Sequence, residues 1–245
     1  MTRPFPTRIS WSGPVVWVHT GSKDYYLDPA TPFCPFGVLP WEETGVKGIT
    51  AGKAPTWIKI PVSQSAETTV TRRLAATLGA TGALTGDLTV ARTGQAALEW
   101  RTEAHSLDEK GRRKFLEERV DASLPLGATV RLISADGWDA LDEPLRASFR
   151  IEIPDCVFST PRRLLLPSVL FRLGTSGLLE HRSRVHPVYF SYPYDRTDEL
   201  DITLPDGYSV EAASKETCVT AAPGGPPCAR RPARAASGHE RGCAW

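Results

Sequence analysis

Short alternating runs of apolar and polar residues dominate the chain, broken by frequent Gly and Pro. Residues 14–20 (Pro-Val-Val-Trp-Val-His-Thr) and 23–28 (Lys-Asp-Tyr-Tyr-Leu-Asp) are β-branched and aromatic, and Gly21-Ser22 between them predicts a tight hairpin. Residues 29–54 are rich in Pro and Gly and read as loop, with extended structure restarting at 57–61. From Glu67 the pattern becomes a meander. Strands are predicted at 68–78, 83–90, 129–134, 145–153, 187–190, 200–204 and 208–211, the last after an Asp206-Gly207 turn. Residues 95–104 fit strand and helix equally. Phe115, Leu116, Val120 and Leu124 recur at helical spacing, and Ser106 with Glu109 three residues on forms a capping box. One amphipathic helix is therefore expected over 107–123, stopped by Pro125. Residues 163–173 suit a buried irregular segment interrupted by Pro167.

This pattern implies a mostly β fold, a β-sandwich-like domain with one helix preceded by a hairpin. The boundaries fall at 1–56 for the hairpin and its loop, 57–218 for the main domain, and 219–245 for a tail of Pro, Gly, Arg and Ala expected to be disordered.

Composition narrows the function classes. A chain of 245 residues with 41% hydrophobic and 23% charged residues has the make-up of a soluble globular protein. Its formal net charge of +1 gives no broad attraction to nucleic acid, and no apolar run is long enough to span a bilayer. The first residues lack the apolar stretch of a signal peptide. The five cysteines (Cys34, Cys156, Cys218, Cys228, Cys243) form no CxxC pair or Cys/His cluster, so neither a zinc site nor a disulfide framework is expected, and no cofactor is implied.

Few residues offer chemistry. Asp28 ends the hairpin before Pro29, where a carboxylate either stabilises a turn or orients a base. His19 lies nine residues earlier and Cys34 six residues later. Cys34 sits between two prolines and two aromatics, without the helix N-terminus or cation that a reactive thiolate needs. Asp195, Asp198, Glu199 and Asp201 lack the spacing of a calcium loop and read as solvated turn charges. His181 and His186 flank Arg182 and Arg184 in a small basic patch on a sheet edge. Arg112-Arg113-Lys114 read as the polar face of the helix. The aromatics of Tyr189-Phe190-Ser191-Tyr192-Pro193-Tyr194 either line a carbohydrate or peptide groove or supply packing.

The run Tyr25-Tyr26-Leu27-Asp28-Pro29-Ala30, followed by Pro35-Phe36-Gly37-Val38-Leu39-Pro40, resembles the last catalytic-core segment of bacterial transglutaminase-like proteins. Pro187-Val188-Tyr189-Phe190, Arg163-Leu164-Leu165-Leu166-Pro167 and Asp198–Tyr208, which contains Leu204-Pro205-Asp206-Gly207-Tyr208, resemble the C-terminal domain of unknown function that follows that core. The resemblance implies a periplasmic or cell-envelope protein in which Asp28 occupies the position that orients a catalytic His. That His maps near Ser12-Gly13-Pro14, where no base stands, and the family Cys has no counterpart here. The resemblance thus implies a non-catalytic accessory or interaction domain. Its partner would be the upstream core domain or a peptide or protein. The alternatives are an enzyme part whose Asp28 completes a triad with another chain, and a carbohydrate- or peptide-binding sandwich.

Overall fold

The computed structural model describes residues 13–160, 163–167, 169–172, 190–211 and 243–244. The hairpin forms from β1 (Val16–His19) and β2 (Asp24–Leu27), antiparallel, with Val16 opposite Leu27 and His19 opposite Asp24. Gly21 takes φ +67 in the connecting turn, a left-handed conformation that a side chain would strain. A second hairpin pairs β3 (Lys47–Ile49) with β4 (Trp57–Lys59), and it lies across the 56/57 boundary drawn from composition.

The large sheet contains β5 (Thr69–Leu78), β6 (Leu84–Arg92), β7 (Thr129–Asp136), β8 (Leu145–Ile153), β11 (Asp195–Thr203) and β12 (Cys243–Ala244), in the order β12-β11-β5-β6-β8-β7. β11 runs parallel to β5, and the other pairs are antiparallel. β9 (Phe158–Ser159) and β10 (Leu164–Leu165) make a small separate pair. The mostly β class therefore holds.

Burial alternates strictly along β6 and β8, so Leu84, Leu88, Val90, Phe149, Ile151 and Ile153 face one side. Thr85, Asp87, Arg146, Arg150 and Glu152 face solvent on the other side. The layer that closes the core is helical. α1 (Gly94–Glu103) and α2 (Glu109–Asp121) connect β6 to β7 and bring Trp100, Leu116 and Val120 onto the apolar face, where Leu124, Leu170 and Phe171 join them. β7 carries a bulge at Ile133, which leaves that side chain exposed.

Four sequence expectations need correction. Two helices stand where one was expected, because residues 94–103 are helical. Gly94 starts α1 at φ +53, and a Cβ there would stand 2.2 Å from the Glu67 carbonyl oxygen, so glycine is required by both conformation and space. The second helix begins later than the capping box implied. Its N-cap is Asp108, whose carboxylate accepts from the Gly111 amide at 2.7 Å. The acidic residues 195–201 form a strand and not a turn, while residues 208–211 carry no strand. The expected strand at 187–190 lies outside the described residues except for Phe190. The basic patch at 181–186 and almost all of the tail lie outside them too.

Candidate functional site

The hairpin register sets the positions of the candidate residues. Pairing of Val16 with Leu27 puts Asp28 at the open end of the hairpin, beside residues 13–15. His19 is at the opposite end, near the turn. Its Nδ1 lies 2.8 Å from Asp24 Oδ1, and Trp17 Nε1 donates to the same oxygen at 2.9 Å. These bonds, the one from His19 first, hold the Asp24 carboxyl below its ordinary range. His19 and Asp28 are thus separated by the length of the strand, roughly 3.3 Å per residue over four residues, and form no dyad.

Asp28 is buried. Its Oδ1 accepts from the Ala30 amide at 2.7 Å, an Asx turn that carries the chain through Pro29. Cys34 is half-buried, and its Sγ donates to the Val38 carbonyl at 2.9 Å. Burial, then the charges of Asp28 and Glu43, push the thiol up to about 12. A thiol held neutral at physiological pH and already used as a donor is poorly suited to nucleophilic attack. We expect alkylation of Cys34 by iodoacetamide at pH 7.5 to be slower than in the unfolded chain by on the order of a hundredfold or more, because thiolate is scarce when the thiol pKa is raised. The rate should keep climbing with pH past 9, where the unfolded thiol levels off. Peptide mapping separates Cys34 from the other cysteines, and a plateau near pH 8 would contradict the assignment.

Sequence reasoning missed Glu43. It ends a 3-10 turn, Trp41–Glu43, that folds back toward the open end of the hairpin. Its residue is only 6% exposed, its Oε2 is buried with no hydrogen-bond partner, and its Oε1 lies against Gly13, where a Cβ would come within 2.9 Å. Burial first, then Asp28 and Glu42, raise the Glu43 carboxyl above its ordinary value. Nothing in a Pro- and Gly-rich loop signals that its glutamate will be covered. Among the described residues no group of His, Cys, Asp or Glu is arranged to hold a metal ion.

Both faces of β1 are exposed. Val16, Trp17 and Val18 retain 47%, 44% and 37% of their surface, although a strand of this composition normally buries every second side chain. Trp57 and Phe36 are also exposed in this N-terminal region. The region is nevertheless fixed to the main domain. Gln95 Nε2 donates to the Leu39 carbonyl, and the Phe33 and His105 rings meet edge-on at 4.9 Å. A cavity of about 220 Å³ lies at this junction, lined by Phe36, Gly37, Val38, Ser63, Thr68 and Gln95 among others.

Within the aromatic run, the described Tyr192 and Tyr194 are not coplanar. Tyr192 and Tyr194 are tilted by 65° at 6.1 Å, and the Tyr192 hydroxyl donates to Glu99 Oε2 at 3.0 Å. The same Glu99 oxygen accepts from Arg92, whose guanidinium lies 4.1 Å over the Trp100 ring. Tyr192 thus helps clamp the described start of β11 to α1.

Comparison with known proteins adds one assignment. A family model described as a domain of unknown function with a solved structure, DUF3858, matches residues 162–225, roughly a quarter of the chain. No curated protein and no solved structure matches the chain. Among the described residues no helix is long and apolar enough to cross a membrane.

Proposed function

We propose that this chain is a non-catalytic accessory or interaction domain of a transglutaminase-like cell-envelope protein, docking on the catalytic core through the hairpin of residues 16–27. The exposure of both faces of β1 carries this reading. Among the described residues its outer edge pairs with no strand, so amides and carbonyls are free to receive one. Added pairing and burial of Val16, Trp17 and Val18 would supply the apolar contact that the edge lacks. The chemistry at the hairpin is consistent with a silent site, since Asp28 closes a turn and Cys34 donates to a carbonyl.

The test has two arms. The full chain should release no ammonia from a glutaminyl peptide above the buffer blank, and a rate lost in Cys34→Ser would overturn the non-catalytic reading. A separately prepared transglutaminase-like catalytic core should bind the wild-type chain at least tenfold more tightly than Val16→Lys/Val18→Lys. Equal binding would overturn the docking edge.

A further inference from the structure

We propose that the open end of the hairpin is an acceptor site for a basic side chain, and that the strand docking on β1 carries an arginine or lysine whose cation meets the Glu43 carboxylate at its Oε1 edge, beside Gly13. This deepens the docking reading and rests on it.

Three observations converge. First, Glu43 is more than nine-tenths buried, yet its Oε2 has no partner, and a buried acceptor left unmade is costly. Second, Asp28 is buried in the same place with one oxygen committed to the Ala30 amide, so it adds negative charge without supplying a donor to Glu43. A second carboxylate there makes the site worse for an anion and better for a cation. Third, the position is continuous with the free edge. Gly13 touches Glu43 and stands three residues before Val16, roughly 10 Å at strand rise, within reach of a long side chain at the end of an added strand. The absence of a Cβ at residue 13 leaves the Glu43 carboxylate room at that end. A charge-assisted bond from guanidinium or ammonium to Oε1 would offset the charge of both carboxylates.

The test uses isotope-labelled full-length chain and seven-residue peptides of alternating threonine and valine. One peptide carries arginine at its N-terminus and one at its C-terminus, so that either strand direction is sampled. Each has a twin with neutral citrulline. We expect one arginine peptide to shift the amide resonances of residues 16–19 and to bind at least tenfold more tightly than its twin. Glu43→Gln should bring the two within twofold. Equal affinity of twins that both shift residues 16–19 would overturn the basic acceptor and leave the docking edge standing. No shift at 16–19 with any peptide would overturn both. Free argininamide binding as tightly as the peptide would reduce the site to a small-cation site and overturn the strand. Concentration-dependent shifts at 16–19 without peptide would make a second copy the occupant and overturn it as well. The citrulline comparison uses the wild-type chain, so it holds even if the Glu43 variant fails to fold.

Discussion

Replacing Arg101 with methionine will destabilise the fold by about 3–5 kcal/mol, because several main-chain carbonyls lose a charged donor and a hydrogen bond to a charged group contributes about 1.5–3 kcal/mol. Arg101 lies on α1 and is 1% exposed. Its guanidinium donates to main-chain carbonyls of the loop between β7 and β8: Nη2 reaches Gly137 at 2.6 Å, Ala140 at 2.9 Å and Glu143 at 2.8 Å, and Nε reaches Gly137 at 3.1 Å. Burial pushes its pKa below the ordinary value, and Asp139 partly offsets this. Methionine fills the space of the stem but offers no donor. The carbonyls would then be orphaned, or the loop would open and uncover Trp138 and the end of β8. Lysine keeps the charge but not the planar fork, so Arg101→Lys should recover only part of the loss. Urea unfolding of the full chain measures this. Arg150→Met is the control, because its pair with Asp87 at 3.3 Å is half-exposed and should contribute less than about 1 kcal/mol. Equal midpoints for the Arg101 and Arg150 variants would mean that the loop is held by other contacts.

Arg101 also shows where sequence reading stopped. The strands β5, β6 and β8 are legible because one face is buried and the other wet, so apolar and polar residues alternate. α1 is not legible because two of its buried positions are polar. Gln95 and Arg101 turn inward to bond main-chain carbonyls of distant loops, at Leu39 and at Gly137 to Glu143, and so they blur the helical period. The first half of β11, before the strand expected at 200–204, was hidden for a related reason. Asp198 and Glu199 are poor strand formers in isolation, and only the facing Arg72 and Arg73 of β5 make them suitable. At the hairpin, Asp28 before Pro29 announces its turn through local chemistry alone. The covering of Glu43 depends on how residues 29–43 fold back, which no local pattern encodes.

Residues 162–225, expressed alone, will not fold, although a family model treats them as a unit. Their longer described strand, β11, pairs along its whole length with β5, and Leu200 is buried opposite Leu74. Leu170, Phe171 and Leu200 join a core otherwise built from residues 74–156. The described residues of the segment supply β10, β11 and three core side chains, which bury far too little apolar surface to offset their chain entropy. The link to β5 is concentrated at one pair. Arg72 Nε and Nη2 bind both oxygens of Asp198 at 2.6 and 2.7 Å, and the guanidinium lies 4.0 Å over the Phe171 ring. The Arg72 side chain is nearly buried, and that of Asp198 is a quarter exposed. Asp198→Ala therefore strands a cation and should cost about 3 kcal/mol. Replacing both partners, Arg72→Met with Asp198→Leu, removes the stranded charge and should regain most of that loss. The double-mutant cycle is read from urea midpoints of the full chain, and circular dichroism of the isolated segment should show no cooperative melt. A cooperative transition in the segment alone would mean that its fold is autonomous and that β5 is only a neighbour. Its absence, with a strong Arg72–Asp198 coupling, makes the structural unit run from about residue 69 to beyond β11, so that the matched segment is the closing edge of a larger domain.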